Sequence, residues 1–173
     1  MQHEQLVNMI RNATLEVFST MLGSELQPGE AFLDNSTPGP KEGVVALIGL
    51  AGEWAGSGIL CCNAETARQI SGLLLMQEFA AVDEEVLDAV GEVTNMIFGN
   101  VKTALEEETG PMGLSIPTVI YGRNFSTRSV GKSEWTVAPF RWDRHEVEVY
   151  LCLSPAQKAS SAARPLHPLS LAM

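Results

Sequence analysis

The residues best placed to do chemistry lie in one segment, 84–108, which reads as a long helix. At about 100° per residue, Asp88, Glu92, Asn95, Gly99 and Lys102 fall within a stripe roughly 80° wide. Val86, Val90, Val93, Ile97, Val101 and Ala104 fall on the opposite side and belong to a core. The polar stripe must therefore face outward. Glu92 and Asn95 are three apart, which makes them neighbours on one exposed ridge. Any surface helix shows a polar stripe, so the stripe alone says little. Two features of this one run against ordinary helix design. Asn95 stands mid-helix, where its amide competes with the backbone. Gly91 and Gly99 each cost roughly 1 kcal/mol relative to alanine in a helix interior. Glycine beside the ridge leaves room for a second molecule to come close, so the ridge reads as a docking surface.

The flanking sequence fixes this helix. Asp83 is its N-cap, Glu84 and Glu85 complement the dipole of its first turn, and Gly110-Pro111 closes it. Residues 4–23 form a second amphipathic helix, with Leu6, Ile10, Ala13, Val17 and Met21 at helical spacing and Gly23 to stop it. The two helices share a pattern. Asn12, Glu16, Ser19 and Gly23 match Asp88, Glu92, Asn95 and Gly99 at one constant offset, and Ile10, Val17 and Met21 match Val86, Val93 and Ile97 at the same offset. Polar, apolar and glycine positions agree together, which points to a duplicated helix-plus-strands unit with a pseudo-two-fold axis.

Between the helices, residues 24–62 read as three strands. The last two, one through 44–50 and one over 54–62, form a hairpin, and turn chemistry fills 35–40. Asn63 caps a shorter helix over 64–76. Three further strands are expected at 112–122, 134–142 and 146–153, the last alternating as a half-exposed strand. From residue 155 onward the chain is rich in Ala, Ser and Pro without periodicity and reads as a flexible tail. The expectation is a single domain over 1–154 and a tail over 155–173.

Composition removes several function classes. Eleven basic residues stand against 21 acidic ones, a net charge of −10, which repels nucleic acid and anionic membrane surfaces. His3, His145 and His167 are scattered, and Cys61, Cys62 and Cys152 match no zinc pattern. Cys61 and Cys62, adjacent on a strand, should point to opposite faces as buried thiols. The start lacks a basic, apolar leader, and no apolar stretch reaches the roughly 20 residues of a membrane span, so the cytoplasm is the expected location.

The segment Asp88-Ala-Val-Gly-Glu92-Val-Thr-Asn95-Met-Ile-Phe-Gly99-Asn100 resembles the D/S-x-x-x-E-x-x-N signature of the CheC, CheX and FliY phosphatases. Pro117 stands about where that signature's downstream proline belongs. The helix Glu16-Val-Phe-Ser-Thr-Met-Leu-Gly23 resembles the opening helix of CheX-like members, the nearest branch. The similarity covers residues 4 to about 153. It implies a phosphatase acting on the phospho-aspartate of a CheY-like receiver domain. The receiver supplies its own Mg²⁺ and lysine, and the chain itself brings no cofactor. Such catalysis is mainly positioning and electrostatics. By the resemblance, Asn95 orients the attacking water and Glu92 pairs with the receiver's lysine. Asp88, Gly99 and Lys102 belong to the docking face. An amide suits the first task because it donates to or accepts from water without adding charge.

The first helix departs from two-site members, with Ser19 where an asparagine is needed. One active site is therefore expected, with Asn12, Glu16 and Ser19 silent. The expected fold is α/β, with about six largely antiparallel strands and two pseudo-two-fold repeats. The long helices pack together and the short helix lies elsewhere on the sheet, in helix–sheet–helix layers. The resemblance also implies a homodimer, for which Trp135, Phe140, Trp142 and the last strands could supply an edge or apolar surface. The rival reading is a non-catalytic module that binds a receiver or assembles a switch on the same scaffold.

Overall fold

A computed structural model describes residues 1–35, 42–123 and 134–156. Most of the turn stretch at 35–40 and the tail beyond residue 156 lie outside the described residues. The elements run α1 (His3–Met21), β1 (Gln27–Pro28), β2 (Phe32–Asp34), β3 (Glu42–Gly52), β4 (Trp54–Cys62), α2 (Ala64–Leu75), α3 (Glu84–Thr109), β5 (Met112–Leu114), β6 (Thr118–Arg123), β7 (Trp135–Trp142) and β8 (His145–Pro155). The caps act as their residue types require. Asn63 accepts from the Thr66 amide at 2.8 Å and Asp83 from the Val86 amide at 3.0 Å.

Every strand pair is antiparallel, and the sheet order is β1-β7-β8-β4-β3-β5, with β2 also on β7 and β6 also on β3. This order displays the duplication. Each repeat is a long helix, two short strands and a long hairpin. The two hairpins meet at the β4–β8 pair in the middle of the sheet. The short strands are exchanged: β1 and β2 of the first repeat pair with β7 of the second, and β5 and β6 of the second pair with β3 of the first. Neither repeat completes its sheet alone.

Strand alternation sorts the side chains onto two faces. Val44, Ala46, Ile48, Leu60, Cys62, Phe140, Val147, Val149 and Leu151 join residues of α1, α2 and α3 in one core. The other face holds a smaller cluster of Val45, Ile59, Cys61, Trp135, Val137 and Tyr150, with no helical member. The expected layering is therefore corrected. All three helices share one face, because α2 turns back from β4 and lays Ala67 and Ile70 into the same core, while Ser71 donates to the Val86 carbonyl of α3 at 3.1 Å.

The aromatic residues expected to form a pairing edge are also placed differently. Trp135, Phe140 and Trp142 are buried, and the Trp142 ring packs edge-on to Phe18 at 5.3 Å. β7 and β8 lie inside the sheet, because the exchanged strands β1 and β2 cover β7. β8 alternates as expected through Glu146, Val147, Glu148 and Val149, but Tyr150 departs from the pattern and is buried. Cys61 and Cys62 do face opposite sides, both as free thiols, and burial pushes the Cys62 thiol up to about 12.

One contact holds α3 close over β4. Gly58, in the middle of β4, lies against the fully buried ring of Phe98, and a Cβ there would clash with the ring's Cε1. Gly58→Ala is therefore expected to destabilise the fold by about 2 kcal/mol through overpacking. Urea unfolding checks this, and an unchanged midpoint would show that Phe98 has room to move.

Candidate functional site

The ridge is formed by α3 alone, but the site has a second wall. Asp88, Glu92 and Asn95 line a groove with Gly91 on the helix side and Leu114, Ser115, Ile116 and Pro117 on the other. That second wall exists because the expected strand 112–122 is broken. β5 pairs with β3 up to Leu50 and β6 resumes at Leu47, so Ser115, Ile116 and Pro117 bulge opposite Ile48 and Gly49. Proline has no N–H to give to the ladder. Ser115 clamps the bulge in place. Its amide donates to the Gly49 carbonyl at 2.9 Å, its Oγ accepts from the Gly49 amide at 2.8 Å, and its hydroxyl donates to the Ile116 carbonyl at 3.0 Å.

Gly91 brings the walls together. It is buried, and a Cβ on it would lie 3.2 Å from Val119 Cγ2 and 4.0 Å from Pro117 Cβ. The space expected for an incoming molecule at Gly91 is thus taken by the chain's own β6 and its preceding loop. Gly99 fits the expectation better, since nothing lies within 4 Å of its notional Cβ.

Among the described residues, no protein hydrogen bond engages the side chains of Asp88, Glu92 or Asn95. Asp88 and Glu92 are exposed and Asn95 is half-buried. Their hydrogen-bonding capacity is unspent and points to the groove. Gly99 and Lys102 lie further along the stripe and do not line the groove. Lys102 is occupied, with its Nζ 2.8 Å from Glu106. The Lys102 hydrogen bond, followed by one from the Met112 amide, holds the Glu106 carboxyl below its usual range.

On the matching ridge of α1, two of the three counterparts, Glu16 and Ser19, are engaged. Glu16 Oε2 accepts from Asn100 Nδ2 at 3.3 Å, and the Ser19 hydroxyl donates to the Glu16 carbonyl at 3.1 Å. Leu15 stands where α3 has Gly91, three residues after Asn12 as Gly91 is three after Asp88. Arg11, one residue before Asn12, donates to the Gly29 carbonyl at 2.7 Å and ties down the loop between β1 and β2. Helical spacing alone found Asp88, Glu92 and Asn95. It missed the part played by Ser115 and Ile116, whose only local signal is a serine two residues before a proline inside an apolar run.

Three helices on one face of an antiparallel sheet, two interlocked repeats and one unspent carboxylate–amide ridge define a protein of the CheC-like class. Residues 44–141 match the family model described as chemotaxis phosphatase CheX. The CheY-P phosphatase CheX of Thermotoga maritima is 30% identical over 128 residues, which span 73% of this chain and 82% of that relative. Among solved structures, the chemotaxis protein CheX of Desulfovibrio desulfuricans superposes with a TM-score of 0.75 at 30% identity, covering 86% of this chain and 99% of that one. The CheX–CheY–BeF3–Mg²⁺ complex of Borrelia burgdorferi gives 0.74 at 29% identity, covering 85% and 96%. The chain belongs to the CheX family of chemotaxis phosphatases.

The two helix glycines should respond oppositely to substitution. Gly91→Leu is expected to cost about 2 kcal/mol by forcing the loop off the helix. Gly99→Ala, in open space, is expected to gain roughly 0.5–1 kcal/mol from helix propensity. Urea denaturation of both variants checks the contrast, and equal shifts for the two would contradict it.

Proposed function

We propose that the chain hydrolyses the aspartyl phosphate of a CheY-like receiver domain, with Glu92 and Asn95 as the site. One observation carries the assignment: the polar side chains of α3 meet in a groove with their hydrogen bonds unspent, while Glu16 and Ser19, the counterparts of Glu92 and Asn95 on α1, are already engaged. Family membership supplies the reaction, and the relative from Borrelia burgdorferi was captured with CheY, BeF3 and Mg²⁺.

The chemistry asks little of the chain. An acyl phosphate is already activated, so the catalyst must hold a water in line with the phosphorus. The water oxygen bonds to phosphorus, the bond to the aspartate oxygen breaks, and the products are inorganic phosphate and a free carboxylate. Mg²⁺, held by the receiver, offsets charge on the phosphoryl oxygens. Asn95 can accept from that water or donate to it without adding charge. Glu92, a carboxylate, would be repelled by the phosphoryl group. It instead pairs with the receiver's lysine and fixes the register of the complex. Asp88 supports the same docking face one turn earlier, and Gly99 leaves the next turn open to the partner. Lys102, committed to Glu106, bounds that face at its far end.

Among the described residues, no helix is long and apolar enough to cross a membrane. The reading places the chain in the cytoplasm beside its receiver. It also keeps the homodimer, now through a sheet edge such as β2, where Phe32 and Leu33 are exposed. A monomer mass in sedimentation equilibrium would remove that part.

Asn95→Ala is expected to slow phosphate release on the order of 10²-fold or more, with affinity for a beryllofluoride-loaded receiver changed little. Glu92→Ala should lower both rate and affinity, and Ser19→Ala should keep more than half of the activity. If Asn95→Ala instead weakened binding and left the saturated rate intact, the groove would be a recognition surface rather than a catalytic one.

A further inference from the structure

Ile116, in the groove wall, is 88% exposed, and it is an isoleucine. Scattered apolar residues on a surface need no explanation. This one is held in place. It sits between Ser115, whose side chain and backbone make three hydrogen bonds, and Pro117, whose ring lies against α3 at Gly91. Two half-buried leucines, Leu87 on α3 and Leu114 on β5, stand on the same groove. The groove therefore has a polar side that is chemically unspent and an apolar side with a rigid, solvated tip.

We propose that Ile116 is an apolar anchor for the phosphorylated receiver, seated in an apolar recess beside the acyl phosphate. The proposal rests on the phosphatase reading and deepens it. Three physical points support it. A branched aliphatic side chain gains free energy only when apolar surface covers it. A pre-ordered loop loses little entropy on binding, so the gain is kept as affinity. The anchor lies on the same groove as Glu92 and Asn95, so a receiver seated on the ridge must cover it. Polar pairing at the ridge then sets register, and Ile116 supplies affinity without touching the reacting atoms.

The test is phosphate release measured across phospho-receiver concentrations for wild type, Ile116→Ser and Ile116→Leu. Retained thermal midpoints are expected for both variants, because the side chain is largely in solvent. Ile116→Ser should raise the half-saturating receiver concentration at least about fivefold, the scale of truncating one well-covered interface side chain, and leave the saturated rate within about twofold. Ile116→Leu should restore near wild-type half-saturation. An unchanged half-saturation in Ile116→Ser, or a loss confined to the saturated rate, would overturn the anchor role. If wild type itself failed to release phosphate, the phosphatase reading would fail first. The anchor would then stand or fall on binding of a receiver loaded with BeF3 and Mg²⁺. A fivefold weaker Kd in Ile116→Ser would support it, and an equal Kd would overturn it.

Discussion

Everything at the site depends on how closely α3 is held to the sheet and to the bulge beside it. Two glycines set that spacing. Gly58 lets the Phe98 ring come close to the central strand β4, and Gly91 lets Val119 and Pro117 come up to the helix one turn before Asn95. Both contacts involve absent side chains, which cannot be replaced without moving a buried element. Between these two points α3 keeps Glu92 and Asn95 at a fixed height above the 115–117 loop. A water held by an amide is useful only if that amide does not wander, and positioning catalysis is lost when a group is misplaced by about 1 Å.

The duplication gives the chain two ridges, each beside a groove of different make-up. Exchange of the short strands makes each repeat complete the other's sheet, so neither half can be lost. The ridges themselves are free to diverge. On α3, glycine at position 91 admits the second wall and leaves the polar groups unspent. On α1, Leu15 occupies the matching position, Glu16 bonds to Asn100, and Ser19 folds back onto its own helix. On the first ridge, Glu16 thus ties α1 to α3.

Much of this could be read from local pattern. The caps Asn63 and Asp83, the helix limits to within about two residues, the β3–β4 hairpin and the repeat all rest on short-range physics, which a single sequence carries. The misses are non-local. Nothing near Trp135 or Trp142 shows that β1 and β2 will cover β7, so aromatic residues of the interior looked like a pairing surface. Nothing near Ala67 or Ile70 shows which face of the sheet α2 will join. Gly91 reads as costly within its helix, but what it admits is the chain's own β6, more than twenty residues further on. The E-x-x-N ridge was found because helical spacing brings its members together; the Ser115 clamp was not, because its partner Gly49 is 66 residues away.

The measurement that tests this account most directly is turnover: phosphate released from a phosphorylated CheY-like receiver in the presence of Mg²⁺, with the chain at one-tenth of the receiver concentration. The account predicts that the receiver is dephosphorylated several times over per molecule of chain, faster than its own decay. If the receiver of the same signalling pathway decayed at its intrinsic rate even with the chain in excess, the ridge of Asp88, Glu92 and Asn95 would be a docking surface without catalysis, and the central claim would be wrong.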